Sequence, residues 1–467
     1  MVLTLDLQNN TPTHAHSCRH EWNGNVHFNE RFMTEANLRP VPTKRWVRII
    51  TPAVLIYIIA YMDRMNISFA MAGGMNKSLG LSMTASGLAA GIFFFGYMLL
   101  QVPAGHIAEH SSAKKYILWT ILAWGSISIL TAFVQNAWQL FAMRFLLGVA
   151  EGGVYPALLT IIANWFPRKE LGRANAFFLM SLPLSTLITN PISGWIVANF
   201  DWRWLFILEG VVSLSLIGIW LPLISDHPQS AKWISAEERE YLETTLRAEK
   251  VESQNAFKRR EGGEASYRQL FRDKNLWLLI TLLICYTTGQ YGFTIWLPTL
   301  VKNLTNLSLT AVGWLTALPY LTALGGLYAF GSLSDRTMNR RLCTALSLVG
   351  FGLFFGLAGL FPSHIWLSFS LLVLTGIFTK SMQAPFWAIP PLLFPPGLAG
   401  GARGIINALG NLGGFIGPAL VGWLSTKTGD MRMGVFGLTG FLLLGAVITM
   451  LLPQVTTGKT AAMFVKQ

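Results

Sequence analysis

The sequence predicts an all-α polytopic membrane protein, with twelve transmembrane helices in two pseudo-symmetric six-helix bundles. Three observations predict it. The first is composition: only 12% of the 467 residues are charged and 52% are hydrophobic, against about 25% charged in soluble proteins. A mean hydropathy of +0.46, with thirty Phe and seventeen Trp, is more apolar surface than a soluble core can hide. The second is a series of apolar runs, each close to the roughly 20 residues that cross a bilayer as a helix. The third is an internal echo between the two halves of the chain.

The runs lie near 46–72, 84–108, 114–135, 138–166, 173–199, 203–224, 275–301, 309–333, 342–361, 364–394, 403–426 and 433–453. Several carry proline, among them Pro183, Pro191, Pro385, Pro390 and Pro418. Membrane helices tolerate this because neighbours re-satisfy the freed backbone groups. Residues 1–45 are expected to form a disordered cytoplasmic tail, 46–224 and 275–453 the two bundles, 225–274 a cytoplasmic loop, and 454–467 a second cytoplasmic tail. His14, His16, Cys18 and His20 alternate within the first tail and suggest a metal site, but the segment is short and polar, and disorder is the expectation. Met33 offers an alternative start just before the basic approach to the first helix. No cleavable signal peptide is visible.

Charge placement sets the orientation. If both ends are cytoplasmic, 27 of the 35 Lys and Arg fall on that side and five on the other, Lys77, Arg203, Lys302, Lys427 and Arg432. Such a bias places both termini inside a plasma or inner membrane, and the net charge of +13 then needs no nucleic-acid partner. Within 225–274, Ser235-Ala-Glu-Glu resembles a capping box and predicts a solvated or amphipathic helix over Ser235 to Lys250. Cys18, Cys285 and Cys343 are scattered without metal-ligand spacing, so no metal site or cofactor is expected.

The echo is a pattern at the end of the second helix of each half. Gly105-His-Ile-Ala-Glu109-His110 precedes Lys114-Lys115, and Gly331-Ser-Leu-Ser-Asp335-Arg336 precedes Arg340-Arg341, each pair 226 positions apart. Parallel repeats of this kind are a transporter architecture, with the substrate near the midplane between the halves. The Gly-x-x-x-Asp-Arg-x-x-x-Arg-Arg pattern resembles the loop signature of the major facilitator superfamily, although the first copy has Glu109-His110 for Asp-Arg. The resemblance narrows at Tyr61-Met-Asp63-Arg64-Met-Asn66, Arg144-Phe-Leu-Leu-Gly-Val-Ala-Glu151, Trp202-Arg-Trp-Leu-Phe-Ile-Leu-Glu209-Gly and Asn407-Ala-Leu-Gly-Asn411-Leu-Gly-Gly. Together these are similar to the anion:cation symporter family, which includes bacterial permeases for galactonate, rhamnonate, tartrate, phthalate and 4-hydroxyphenylacetate. The resemblance spans about residues 40 to 453. It implies the major facilitator fold, with Gly105, Glu109, Asp335 and Arg336 in gating loops.

Five charges sit deep in apolar segments: Asp63, Arg64, Arg144, Glu151 and Lys380. At roughly 2.5–3.5 kcal/mol each they would together cost over about 10 kcal/mol if unpaired in lipid. In the resembling fold the first, fourth, seventh and tenth helices line the central cavity, and these five lie on three of them. Arg144 and Glu151 share a helix face about 10.5 Å apart, too far to pair with each other. Either they form interhelical salt bridges that hold the bundle, or Glu151 and Asp63 take up protons. The resemblance implies the second role, proton coupling, with Arg144 as a charge-pairing partner. Arg64 aligns with Tyr57 and Tyr61 at i−7 and i−3, and a guanidinium's fork suits a carboxylate. A simple pair with a carboxylate is the alternative. Tyr97 matches a family substrate contact or is a packing tyrosine. Lys380, with Gln383 and Trp387 three and seven positions on, places a cation, an amide and an indole on one helical face. No family pattern asks for that lysine, which is either a selectivity residue or snorkels to water. Gln290, Tyr291 and Asn407 complete a candidate polar lining, to which Asn411 adds unless it serves helix packing.

The expected activity is proton-coupled import of a small organic anion, a sugar acid or related carboxylate, by a monomeric, non-enzymatic carrier in the lipid bilayer. The alternative is an exchanger or efflux carrier, for which Asn190-Pro191-Ile-Ser-Gly194 faintly resembles an antiporter signature. An embedded enzyme would need a nucleophile–base or metal constellation, which is not found. A channel would show a filter rather than a long internal repeat, and no Gly-x4-Gly-Lys-Ser/Thr loop marks an ATP site.

Overall fold

The computed structural model describes residues 43–260, 267–394 and 398–454. The expectations for the two tails, including the His-rich segment and Met33, lie outside the described residues, apart from the ends of those tails at 43–45 and at Gln454. The N-terminal half comprises spans one to six: Thr43–Ala72, Met83–His110, Ala113–Thr131, Ala137–Trp165, Arg168–Asn199 and Trp202–Leu223. Spans seven to twelve are Lys274–Thr305, Leu309–Thr337, Arg340–Leu360, Ile365–Leu393, Ala399–Thr428 and Met431–Leu451. Among the described residues, ten of these are long and apolar enough by themselves to cross a membrane. In the third span Lys114 and Lys115, and in the eighth Pro319, Tyr320 and a run of Gly and Thr, dilute the apolar signal.

The helices start where local chemistry starts them. Ser82, Ser112, Asn136, Ser308 and Asn339 each accept a backbone N–H two or three residues into the following helix, supplying a partner for a donor the helix cannot satisfy. Span four breaks at Gly152–Gly153, immediately after Glu151. Span ten runs as Ile365–Thr379, Gln383–Trp387 and Pro390–Leu393. Pro385 lacks the N–H that would bond the carbonyl of Ser381, so the helix opens there. Lys380, Gln383 and Trp387 therefore do not share one helical face, contrary to the sequence expectation.

Span ends also differ from expectation. Gly105 and Glu109 lie within the last turns of span two, and Asp335 and Arg336 within the last turn of span eight, so these four are helix-end residues rather than loop residues. The segment between spans six and seven holds a 3-10 turn at Pro228–Ser230 and a helix at Ala236–Arg260, which runs on past the expected end at Lys250. Ser235 caps it as expected, its hydroxyl accepting the Glu238 N–H at 3.2 Å.

That segment is fastened to spans of the N-terminal half. Arg45 donates to Glu170 at 2.8 Å and to the Trp165 carbonyl at 3.0 Å, and pairs with Glu238 at 3.3 Å. Trp233 stacks on Trp165 with 5.1 Å between centroids. Asp226 accepts from Ser112 at 2.6 Å and from the Lys114 N–H at 2.8 Å, and Arg168 holds Glu252 and the Glu249 carbonyl.

Two seams join the halves, both concentrated at the end of the bundle away from this segment. Spans two and eleven meet through Gly87, Gly91 and Gly422; a Cβ on Gly87 would come within 2.3 Å of the Pro418 oxygen. Thr84 and Thr426 hydroxyls bond at 2.9 Å near the same end. Spans five and eight meet where Asn190 donates to the Thr316 carbonyl at 3.0 Å and Gly194 lies against Leu309 and Gly313. Small residues let backbones approach where lipid supplies no hydrophobic drive to pack. The Asn190–Gly194 pattern is thus accounted for as a packing seam.

Candidate functional site

Spans two and four pack through another glycine series. A Cβ on Gly148 would lie 2.0 Å from the Phe93 oxygen, and one on Gly152 2.4 Å from that of Tyr97. This close approach carries the rings of Phe93 and Tyr97 beneath Arg64, whose guanidinium carbon stands 5.1 and 4.5 Å from their centroids. The Tyr61 ring completes the enclosure at 5.5 Å. From the other half, Tyr291 packs on Phe94 at 4.3 Å. Arg64 is 4% exposed and Glu151 fully buried, so their contact forms in a site screened from water.

Arg64 directs Nε and Nη2 to the same oxygen, Oε2 of Glu151, at 3.3 and 3.1 Å. Oε1 of Glu151 has no hydrogen-bond donor. The carboxylate pair for Arg64, one of the two readings open in the sequence, is therefore present in this conformation, and Glu151 is the partner. Arg144, also buried, donates Nη2 to the Arg64 carbonyl at 3.1 Å and faces Phe93 at 5.2 Å; its Nε and Nη1 have no partner. It forms no carboxylate pair among the described residues, although it was expected as the charge-pairing residue.

Asp63 points the other way, into the N-terminal half. It accepts from Ser128 at 2.6 Å, Ser213 at 2.7 Å and Asn66 at 3.3 Å. Two short hydroxyl bonds suit a carboxylate, an acceptor-only group when ionised. Tyr57 is buried against Tyr155 and Phe178, at 5.5 and 5.0 Å, one side of the same aromatic floor.

In the C-terminal half, Lys380 lies in the opening of span ten, 8% exposed, and pairs with no carboxylate among the described residues. Tyr286 donates to the carbonyl of the adjacent Thr379 at 2.7 Å, with the Gln290 side-chain oxygen 3.3 Å from the same hydroxyl, and Gln290 donates to Thr294 at 3.2 Å. Gln383, Trp387 and Asn407 are half-buried, and the Trp387 carbonyl accepts from Arg403. The structure brings Arg64, Glu151, Tyr61 and Tyr97 together, with Tyr291 facing them across the halves. It sets Asp63 apart from them and keeps Trp387 on a separate helical piece from Lys380. Asp335 meets Arg340 at 3.7 Å at a span end, 74% exposed, far from any buried charge.

Glu209 was missing from the deep charges read in the sequence. It is 2% exposed on span six, accepts from Ser193 at 3.2 Å, and lies beside Asn66 and Asp63. Seven residues into its span, it stands in the sequence only as a member of the Trp202–Gly210 segment; its burial depends on which face span one presents to it.

A membrane-spanning pair of six-helix halves, with buried charges between and inside them, is the architecture of a secondary membrane transporter. The chain belongs to the Major Facilitator Superfamily, which it matches over residues 53–311 and 301–462. It is 33% identical over 418 residues to a putative tartrate transporter of Agrobacterium vitis, covering 87% of this chain and 93% of that one. It is 30% identical to a quinolone resistance transporter of Acinetobacter baumannii, over 86% and 92% of the two chains. Its fold is similar to that of a bacterial homologue of the lysosomal transporter Spinster, solved in an inward-facing, occupied conformation, with a TM-score of 0.70, 15% identity, and 90% and 97% coverage.

Proposed function

We propose that this transporter imports a small organic anion, a sugar acid or related hydroxy-carboxylate, together with protons. The observation that carries the reading is the buried Arg64–Glu151 pair. A substrate carboxylate can take the guanidinium's fork only if Glu151 gives up its hold, and a proton on Glu151 is what releases it. Anion and proton then enter the site together, and the anion's departure restores the pair. Tyr61, Tyr97 and Tyr291 around Arg64 offer phenolic groups to a hydroxylated substrate, and Lys380 a second cation. Asp63, held by the Ser128 and Ser213 hydroxyls inside the N-terminal half, is the second proton-coupling group. The putative tartrate carrier among the relatives supports a hydroxy-acid substrate.

The Lys and Arg bias orients the chain with the 225–274 segment and both termini in the cytoplasm of the inner membrane. The seams at the opposite end then close the outer side, an inward-facing state from which substrate is released.

Counterflow of a panel of labelled organic anions in proteoliposomes, with and without an inward proton gradient, tests the reading. Glu151→Gln and Asp63→Asn should lose gradient-driven accumulation while keeping exchange, because an amide imitates a protonated carboxyl but cannot release a proton. Accumulation at the wild-type level in both variants removes protons from the mechanism. The relative named for quinolone resistance favours a second reading, efflux; uptake of quinolones into inverted vesicles, with no uptake of hydroxy acids into right-side-out ones, would select it.

A further inference from the structure

Glu209 is a fully buried carboxyl with no cation beside it among the described residues. Its Oε1 accepts from Ser193 on span five and its Oε2 has no well-directed donor, with the Asn66 side chain approaching the carboxyl more loosely. Asn66, one turn from Asp63, lies between the two acids and donates to Asp63, while its own Oδ1 is buried without a partner. Ser213, one turn from Glu209, donates to Asp63 as well. The two carboxyls thus face one cluster from spans one and six. The charged groups that act on that cluster are Asp63 itself on span one and, through Asp63, Arg144 and Glu151 on span four; among the described residues Ser128 of span three and Ser193 of span five add hydroxyls.

With both acids ionised, the cluster holds two negative charges in a low-dielectric interior and more acceptor oxygens than hydrogens to fill them. One proton on Glu209 removes the like-charge conflict, gives Oε2 a hydrogen to donate, and supplies the donor that the Asn66 oxygen lacks. Asp63 is the worse place for it. Two hydroxyls already donate to Asp63 at 2.6 and 2.7 Å, whereas Glu209 has one hydroxyl at 3.2 Å and a looser approach from Asn66.

We propose that Glu209 is a neutral, protonated acid that serves as a positioning donor for Asp63. It orders the serine–asparagine cluster so that Asp63 alone gains and loses a proton there, and span six adds no proton to the transport cycle. The role in coupling rests on the reading of Asp63 given above; the protonation state of Glu209 does not.

Infrared difference spectroscopy of the full chain in lipid at neutral pH tests it directly. A protonated-carboxyl carbonyl band that shifts in D2O is expected in the wild type, retained in the Asp63→Asn/Glu151→Gln double variant and lost in Glu209→Gln. Absence of the band in the double variant means Glu209 is ionised and overturns the proposal, even if Glu209→Gln does not fold. In proteoliposomes, Glu209→Gln, which keeps a neutral donor, should accumulate substrate within about twofold of wild type. Glu209→Leu should fall at least tenfold and alter the pH profile, and restoring the donor as Gln should rescue it. Loss of gradient-driven accumulation in Glu209→Gln, with counterflow intact, would make Glu209 a coupling group and overturn the positioning role. A wild type that ignores the proton gradient removes the coupling reading, while the band still decides the protonation of Glu209.

Discussion

Arg64 spends Nε and Nη2 on a single oxygen of Glu151, and the rest of its planar fork faces aromatic rings. A lysine at this position would keep an ion pair with Glu151 but present no second, parallel pair of donors to a carboxylate. Apparent substrate affinity of Arg64→Lys, measured by substrate-protected thermal unfolding of purified protein, should therefore fall at least tenfold, about 1.4 kcal/mol. Unchanged affinity would assign the arginine to structure alone. The charges around it were legible in the sequence because a lone Asp, Glu or Arg inside an apolar run is conspicuous. Their partners were not. The spacing of Arg144 and Glu151 excluded a pair within the helix, but which neighbour Glu151 would choose, and that Arg144 would settle on a backbone carbonyl, depends on helix rotation. Glu209 escaped for the same reason, its burial decided by contacts with Asn66 and Ser193 from two other spans.

The opening of span ten places a cation where a continuous helix would have placed it on a flank. Thr379 ends one helical piece and Gln383 begins the next, so Lys380 sits in a turn whose carbonyls are not all claimed by a helical ladder. Its buried ammonium has no carboxylate partner among the described residues, in contrast to Arg64. A substrate with charge or hydroxyl acceptors at both ends answers both cations. An apolar monocarboxylate leaves the ammonium poorly compensated as water departs. Lys380→Met should weaken transport of dicarboxylates and aldonates while sparing apolar monocarboxylates, in a competition panel on one purified preparation. A uniform change across the panel would remove Lys380 from the site. The apolar run through 364–394 marked the span but concealed the break, since hydropathy does not register a missing N–H. Pro385 was the available signal, and the carbonyl it orphans four residues earlier gives the break its position.

At the scale of the whole molecule, the 226-residue echo and the charge bias made the twelve-span plan readable, whereas nothing in one sequence says which end is closed. The Thr84–Thr426 contact tests that. With cysteines at both positions, and Cys18, Cys285 and Cys343 replaced, oxidation should cross-link the two hydroxyl sites, now 2.9 Å apart, and stop uptake until a reductant is added. Wild-type uptake with the cross-link complete would show that this seam need not part. The fastened segment between the halves has a consequence of its own. Arg45, Ser112, Lys114 and Arg168 hold residues from Asp226 to Glu252, so this stretch travels as a rigid outrigger of spans one to six. Among the described residues, Glu252 is the last of these anchors before span seven begins at Lys274. The anchored stretch is thus a boom carried by the first half, and any rocking of that half against the second swings it along.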